Sequence, residues 1–434
     1  MSDTPPPASA PKPTKGALLI VWLVVFIDLL GFGIVLPVMP RQAEPYLEHL
    51  GLSSASKGAM IGVLFSIFSV MQFVFSPVWG RVSDRIGRKP VLLVSLLGSV
   101  VFYALYGFAV SLPAESATLA LALMLLARVG AGIAGASVGT AAAVIADCTT
   151  PEKRAKGMAL IGIAFGAGFT LGPLIAYFGL AAFAQQPWGV GALASILSAI
   201  ALVVAVAVFK ETRDPNNKAG KDFFSVARSL EVLKMPTVGA LVLIYFLAIF
   251  AFANFEATLA LLTRSAFGLT DDDNFLVFAF VGAVLMFAGG MYRPLAKKGS
   301  ERKLLRTGIV LMLLGMAGVA FVAYTVYSAP PLREPPPAWW KVAFYCAMAV
   351  SVIGFAFTNP SISALVSKGA DPARQGEVQG VNQSFAALGR ITGPFLGSVL
   401  FQAEPSRTLP YVAAALALLL VLALLSKVKG ERPA

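Results

Sequence analysis

A chain of 434 residues that is 57% hydrophobic and only 13% charged is neither an ordinary soluble globule nor a disordered polymer, because it has too little polar surface to cover its apolar part in water. The composition is that of an all-α polytopic membrane protein. Its formal charge of +12 raises the alternative of a nucleic-acid partner, which the placement of the cations argues against.

Taken in order, residues 1–16 carry Pro5, Pro6, Pro7, Pro11 and Pro13 and read as a disordered tail; no small-residue cleavage site of a signal peptide follows. The apolar run Leu18–Met39 comes next. At about 1.5 Å per residue it crosses the ~30 Å hydrocarbon core, which puts its one ionisable residue, Asp28, near the midplane. An ionised Asp facing lipid there costs roughly 2.5 to 3.5 kcal/mol, so it belongs in a polar cavity, beside a cation or holding a proton. Gly31, Gly33 and Pro37 thin one face of this helix and allow a bend. Further spans are expected at Gly58–Val78, Val91–Val110, Leu119–Ala146, Gly157–Phe183 and Val190–Phe209, completing an amino-terminal six-helix bundle over 17–209. A charged cytoplasmic linker, 210–236, precedes a second bundle over 237–426. Its spans are Val238–Leu262, Asn274–Met291, Leu304–Tyr327, Val342–Val366, Val378–Phe401 and Leu409–Ser426, and residues 427–434 form a second cytoplasmic tail.

With the amino terminus placed in the cytoplasm, the great majority of the 34 lysines and arginines fall on the cytoplasmic side. Arg41, Lys57, Arg264, Arg333, Lys341 and Arg407 fall opposite, and Arg128 and Arg390 lie inside spans. The positive-inside rule therefore sets both termini in the cytoplasm, and the basic balance belongs to the membrane, with no nucleic acid as partner. Cys148 and Cys346 are isolated and His49 falls in the first outer loop, so no metal site, no cofactor and no Ser/His/Asp enzyme constellation is expected.

The halves read as a repeat, since Pro151, Gly168, Gly172 and Pro173 align without a gap on Pro372, Gly389, Gly393 and Pro394. Two six-helix bodies in parallel repeat are suited to rocking about a central site. Four ionisable residues, Asp28, Arg128, Glu256 and Arg390, lie well inside spans and are expected to line one cavity. Asp28 and Glu256 are the candidate proton carriers. Asn254, Asn359, Gln72, Asn382 and Gln383 could add neutral hydrogen-bonding groups, and Phe246, Phe250, Phe252 and Phe357 serve either as an aromatic wall or as ordinary packing. Arg128 serves either to shift the protonation of the two acids or as a structural arginine bonded to backbone carbonyls, and the small-residue face of Gly162, Gly166, Gly168 and Gly172 also suits plain close packing.

The segment Gly80-Arg-Val-Ser-Asp84-Arg85-Ile-Gly87-Arg88-Lys89-Pro90 is read as a cytoplasmic loop whose glycines permit a tight turn and whose Asp84 can accept hydrogen bonds at a helix amino terminus. It resembles the signature of the major facilitator superfamily, with Val82 where the family has Leu. That resemblance implies a conformational latch between the halves at Gly80, Asp84, Arg85, Gly87, Arg88 and Lys89. Its counterpart, Gly290 to Gly299, keeps cations at Arg293, Lys297 and Lys298 but has no acid matching Asp84. Gly168-x-x-x-Gly172-Pro173 resembles the antiporter motif of drug and proton exchangers, with Ala176-Tyr177 where that family has paired glycines, and Arg128-Val-Gly-Ala-Gly resembles a motif tied to proton transfer.

The first span, Asp28-Leu-Leu-Gly31-Phe-Gly33-Ile-Val-Leu-Pro37-Val-Met-Pro40, is similar to that of the tetracycline exporters. Those exporters also use a histidine in span eight and an acid in span nine. This chain has neither, and Glu256 is the expected stand-in. The resemblance implies the major facilitator fold and a monomeric, proton-coupled exporter of amphiphilic small molecules or drugs in a bacterial cytoplasmic membrane, with the substrate and protons as partners. A symporter or uniporter of a metabolite is the alternative, and a receptor or lipid-modifying enzyme is the least supported reading.

Overall fold

The computed structural model describes residues 15–149, 151–213, 231–298, 300–328, 337–369 and 375–427, and the side chains of some helical residues, Asp28 among them, lie outside the description. Its main helices in the first half are α1 (Lys15–Val35), α2 (Met39–His49), α3 (Ser54–Ile86), α4 (Arg88–Val110), α5 (Ala117–Gly135), α6 (Val138–Cys148), α7 (Pro151–Gly179) and α8 (Gly189–Val208). The second half has α9 (Pro236–Phe267), α10 (Asp271–Lys298), α11 (Glu301–Ser328), α12 (Ala338–Gly369), α13 (Gln375–Ala403) and α14 (Leu409–Lys427). No strand occurs among the described residues. Twelve stretches are long and apolar enough to cross a membrane, matching the twelve spans expected, and an even number of crossings puts the two termini at one end. Both tails and most of the expected linker lie outside the described residues.

Three expectations change. Pro37 does not bend the first span. α1 stops at Val35, three turn residues follow, and the chain restarts as α2 with Pro40 in its first turn, because proline has no N–H to continue one helix yet fits the start of the next. The fourth span is two helices, α5 and α6, parted at Ala136 and Ser137. The expected loop between spans two and three is almost entirely helical. Gly80, Asp84 and Arg85 ride on the last turns of α3, and only Gly87 interrupts, with φ at 107°, a backbone conformation that glycine alone adopts readily.

Within each half a row of small residues lets two backbones touch. Cβ atoms added at Gly168 and Gly172 of α7 would meet the α1 backbone, at 3.0 Å from Leu30 N and 3.0 Å from Leu30 O. Their repeat counterparts on α13 do the same to α9, with Gly389 against Phe246 and Phe250 and Gly393 against Phe250 and Asn254. The Gly172-Pro173 and Gly393-Pro394 pairs thus occupy equivalent places in two like bodies.

The halves meet through α3 with α13 and α7 with α10. The contacts concentrate away from the termini. Ser66 Oγ donates to the Ile391 carbonyl at 2.6 Å, and Gly58 and Gly62 lie against the backbone of Ser398 and Phe395. Gly282 of α10 faces Thr170 of α7, where a Cβ would stand 2.6 Å from the Thr170 Cα. Toward the termini the same helices part: nothing lies within 4 Å of a Cβ built on Gly80 of α3, Gly289 and Gly290 of α10, or Gly380 of α13. Among the described residues the bundle is closed at the end far from the termini and open at the other.

Candidate functional site

The open space between the halves brings together a polar group on the second half. The Tyr245 hydroxyl on α9 donates to Asn359 Oδ1 on α12 at 2.7 Å. Gln383 and Arg390, seven residues apart on α13 and so on one face of it, are both exposed, and the Arg390 charge acts on Tyr245 and on Glu256. Glu256, on α9, is half-buried and has no hydrogen-bond partner among the described residues. α9 and α13 run parallel with Gly389 beside Phe246 to Phe250, so Glu256 sits about two turns, roughly 10 Å, nearer the closed end than Arg390. That offset leaves the pair in electrostatic range without an ion pair. A carboxylate and a guanidinium so placed can each exchange partners with water, a proton or a solute.

Other expected members lie elsewhere. Asn254 was expected in the cavity and is instead sealed between α9 and α13. It is fully buried with its amide atoms unpaired, because Gly393 and Gly397 bring the α13 backbone onto it. Asn382 is likewise fully buried with an unpaired amide. Arg128 does not line the open space. It is 2% exposed, donates through Nε to the Leu64 carbonyl at 3.1 Å and lies over the Phe68 ring at 4.6 Å, in the α3–α5 contact. Arg128 therefore does not share a surface with Glu256 and Arg390 in this conformation, since it is buried against α3. Asp28 rides on α1, whose neighbouring residues Leu29 and Leu30 bear on Gly168; its side chain is outside the described residues. Gln72 donates to the Gly135 carbonyl at 3.0 Å and so joins α3 to α5. Of the aromatic residues, Phe246 and Phe250 stay half-buried with Phe385 edge-on to Phe246, whereas Phe252 stacks on Phe355 at 3.8 Å and Phe357 packs with Ala288, both as core.

At the termini end, the signature segment is held by its own half. Arg88, the first residue of α4, pairs with Asp84 and with Asp147 Oδ2 at 3.1 Å, and also donates to Ser83 Oγ at 2.7 Å. The acid at the amino terminus of α4 is not Asp84 but Glu211, which follows α8 and accepts the backbone N–H groups of Arg88 at 2.9 Å and Lys89 at 3.0 Å. The reason is that α3 continues to Ile86, so Asp84 is already spent at a helix carboxyl end. Burial alone would raise the Glu211 carboxyl, yet the N–H groups of Arg213, Arg88, Lys89 and Thr212 outweigh it and hold the group below its ordinary value. Arg85 offers its carbonyl to Arg213 at 2.7 Å. The side chains of Arg293, Lys297 and Lys298 fall outside the described residues. Reading the sequence missed Tyr245, Glu211 and Asp147, since only their fold partners mark them; the charged step Lys210-Glu211-Thr212-Arg213 just past span six was the available signal for Glu211.

Known proteins are similar to this chain over most of its length. Mouse (Mus musculus) major facilitator superfamily domain-containing protein 10 is 26% identical over 96% of this chain and 94% of its own length. The class E tetracycline resistance protein of Escherichia coli is 29% identical over 89% of this chain and 88% of its own. Among solved structures, a D-xylose-proton symporter superposes with a TM-score of 0.77 at 18% identity over 97% of this chain and 99% of its own, which speaks to the fold alone. The family description Major Facilitator Superfamily matches residues 21–394. Twelve membrane helices in two like bodies, closed at one end around a charged central space, and a family match over most of the length lead to one conclusion: the chain is an integral membrane transporter and belongs to the Major Facilitator Superfamily.

Proposed function

We propose that this transporter is a proton-coupled exporter of amphiphilic small molecules, working by alternating access. The observation that carries the reading is the placement of Glu256 and Arg390: a half-buried carboxylate with no hydrogen-bond partner among the described residues and an exposed guanidinium, in electrostatic range of each other. A carboxyl in such surroundings takes up a proton when its cation is drawn away and releases it when the cation returns, so protonation and shape are linked. Asp28, on α1 beside the contact with Gly168 and so about two turns nearer the termini than Glu256, is the second candidate carrier. The half-buried rings of Phe246, Phe250 and Phe385 suit the apolar part of a substrate, and Gln383 and Asn359, the latter oriented by the buried Tyr245, suit its polar part. With the termini cytoplasmic, as the cation placement favours, the conformation described is open to the cytoplasm. The Escherichia coli relative named for tetracycline resistance supports drug-like cargo and a bacterial setting, while the mouse relative covers more of the chain, 96% against 89%.

Proteoliposomes with a trapped pH indicator test this. Adding tetracycline or another amphiphilic drug should evoke proton flux in the wild type, and Glu256→Gln should abolish it. No flux with any of a panel of such compounds, or the same flux in Glu256→Gln and Asp28→Asn as in the wild type, overturns the proposal. Accumulation driven by an inward proton gradient would reverse the assigned direction.

A further inference from the structure

α2 takes no part in the central space, yet it sits where the halves close. One side is bound to the first half. The Tyr106 hydroxyl donates to Gln42 Oε1 at 2.6 Å, Gln42 Nε2 donates to the Pro187 carbonyl at 3.0 Å, and the Tyr46 hydroxyl donates to the Leu112 carbonyl at 2.8 Å. The other side grips the second half. Arg41 Nη1 donates to the Thr270 carbonyl at 2.8 Å and lies 2.8 Å from Asp271 Oδ1, while Nη2 donates to the Leu269 carbonyl at 2.5 Å. These carbonyls follow Gly268, whose left-handed conformation ends α9, so the guanidinium sits at the negative end of one helix and beside the first residue of the next. Glu44 adds a rim pair with Arg264 at 3.1 Å.

The parts of this grip are unequal. The Arg41 side chain is 5% exposed but the Asp271 carboxylate is 51% exposed, so water screens the ion pair and it contributes little. The carbonyl bonds, made by a desolvated charged donor, are the larger part. Arg41 Nε is buried with no hydrogen bond, which leaves the grip incomplete and releasable.

We propose that α2 is the latch of the gate at the end far from the termini: it travels with the first half, and Arg41 must leave the α9–α10 corner before that end can open. The inference rests on the alternating-access reading only in requiring two conformations.

Spin-label distances in the full chain, reconstituted in nanodiscs and with Cys148→Ser and Cys346→Ser as background, test it. Labels at Glu115→Cys and Ala338→Cys report the far end, and labels at Lys210→Cys and Lys303→Cys report the termini end. Arg41→Ala should raise the ratio of open to closed far-end distances by roughly tenfold or more, the scale for truncating one partner of a buried charged hydrogen bond. Asp271→Asn should raise it less than about threefold. Arg41→Lys, which keeps the charge but loses the two-pronged geometry, should shift it in the same direction and serves if Arg41→Ala folds poorly by circular dichroism. An unchanged far-end distribution in a folded Arg41 variant overturns the latch, and so does an Asp271→Asn shift as large as that of Arg41→Ala. Far-end opening with no closure at the termini end would support the latch and defeat alternating access. Loss of proton flux with both transitions intact would defeat the coupling and leave the latch standing.

Discussion

Alanine at three glycines of α7 should give opposite signs. In a helix interior, glycine to alanine gains about 0.5 to 1 kcal/mol by removing backbone freedom from the unfolded chain. Gly166 should show that gain undiminished, because its new methyl would meet only the flexible end of Met286, at 4.0 Å. Gly168 should not. Its Cβ would stand 2.7 Å from the Leu29 Cβ and 3.0 Å from the Leu29 carbonyl carbon, and the Gly172 Cβ would stand 3.0 Å from Gly33 C and Leu30 O. These are backbone or near-backbone atoms of α1 that cannot rotate away. Overpacking of this kind costs about 1 to 3 kcal/mol, so after the helix gain a net loss of up to roughly 2.5 kcal/mol is expected at each. Thermal unfolding of detergent-purified protein, followed by fluorescence-detected size exclusion, orders the three: Gly166→Ala at or above the wild type, Gly168→Ala and Gly172→Ala below it. Equal midpoints for all three, or Gly166→Ala the least stable, would refute the claim that the α7–α1 contact is set by backbone approach.

Glu211→Gln should cost about 0.5 to 1 kcal/mol, the lower range for a partly exposed helix-end acid. The Glu211 carboxyl is depressed in the fold, so its stabilisation is complete above the unfolded value of about 4.3 and lost as pH falls through the folded value. Melting midpoints of variant and wild type should therefore converge on acidification below about pH 4. Gly282→Ala places a methyl 2.6 Å from the Thr170 Cα across the two halves and should disfavour this closed contact by about 1 to 3 kcal/mol, read as lowered transport and as a shift in label distances across the halves. Tyr245→Phe removes the 2.7 Å hydrogen bond to Asn359 and should cost about 1 kcal/mol of stability, with a raised KM for any transported substrate.

Much of the site was legible as residue types and little of it as company. Glu256 and Arg390 stand out because an ionisable group in an apolar run has no cheap place in lipid, and that holds wherever the run packs. Asn254 looked equivalent on the same helix, yet Gly393 and Gly397, more than a hundred residues away, carry the α13 backbone onto it and seal it. Asp84 and Arg88 announced themselves by spacing. Glu211 did not, because its value lies in being delivered to the amino end of α4 by a helix that ends at Val208.

The apolar runs alone determined that there are twelve membrane helices, since a ~30 Å hydrocarbon layer imposes both a length and a demand that backbone groups be satisfied within each segment. The repeat of Gly-Pro pairs determined that the two bodies are alike. What only the tertiary structure decided is where those bodies touch: α2 gripping the α9–α10 corner through Arg41, the halves joined at Gly58, Gly62 and Gly282, and the termini end left open. Hydropathy reports how a residue divides between water and lipid, and it is blind to which helix lies beside which. The surfaces that move against each other in a transporter are set by that second relation.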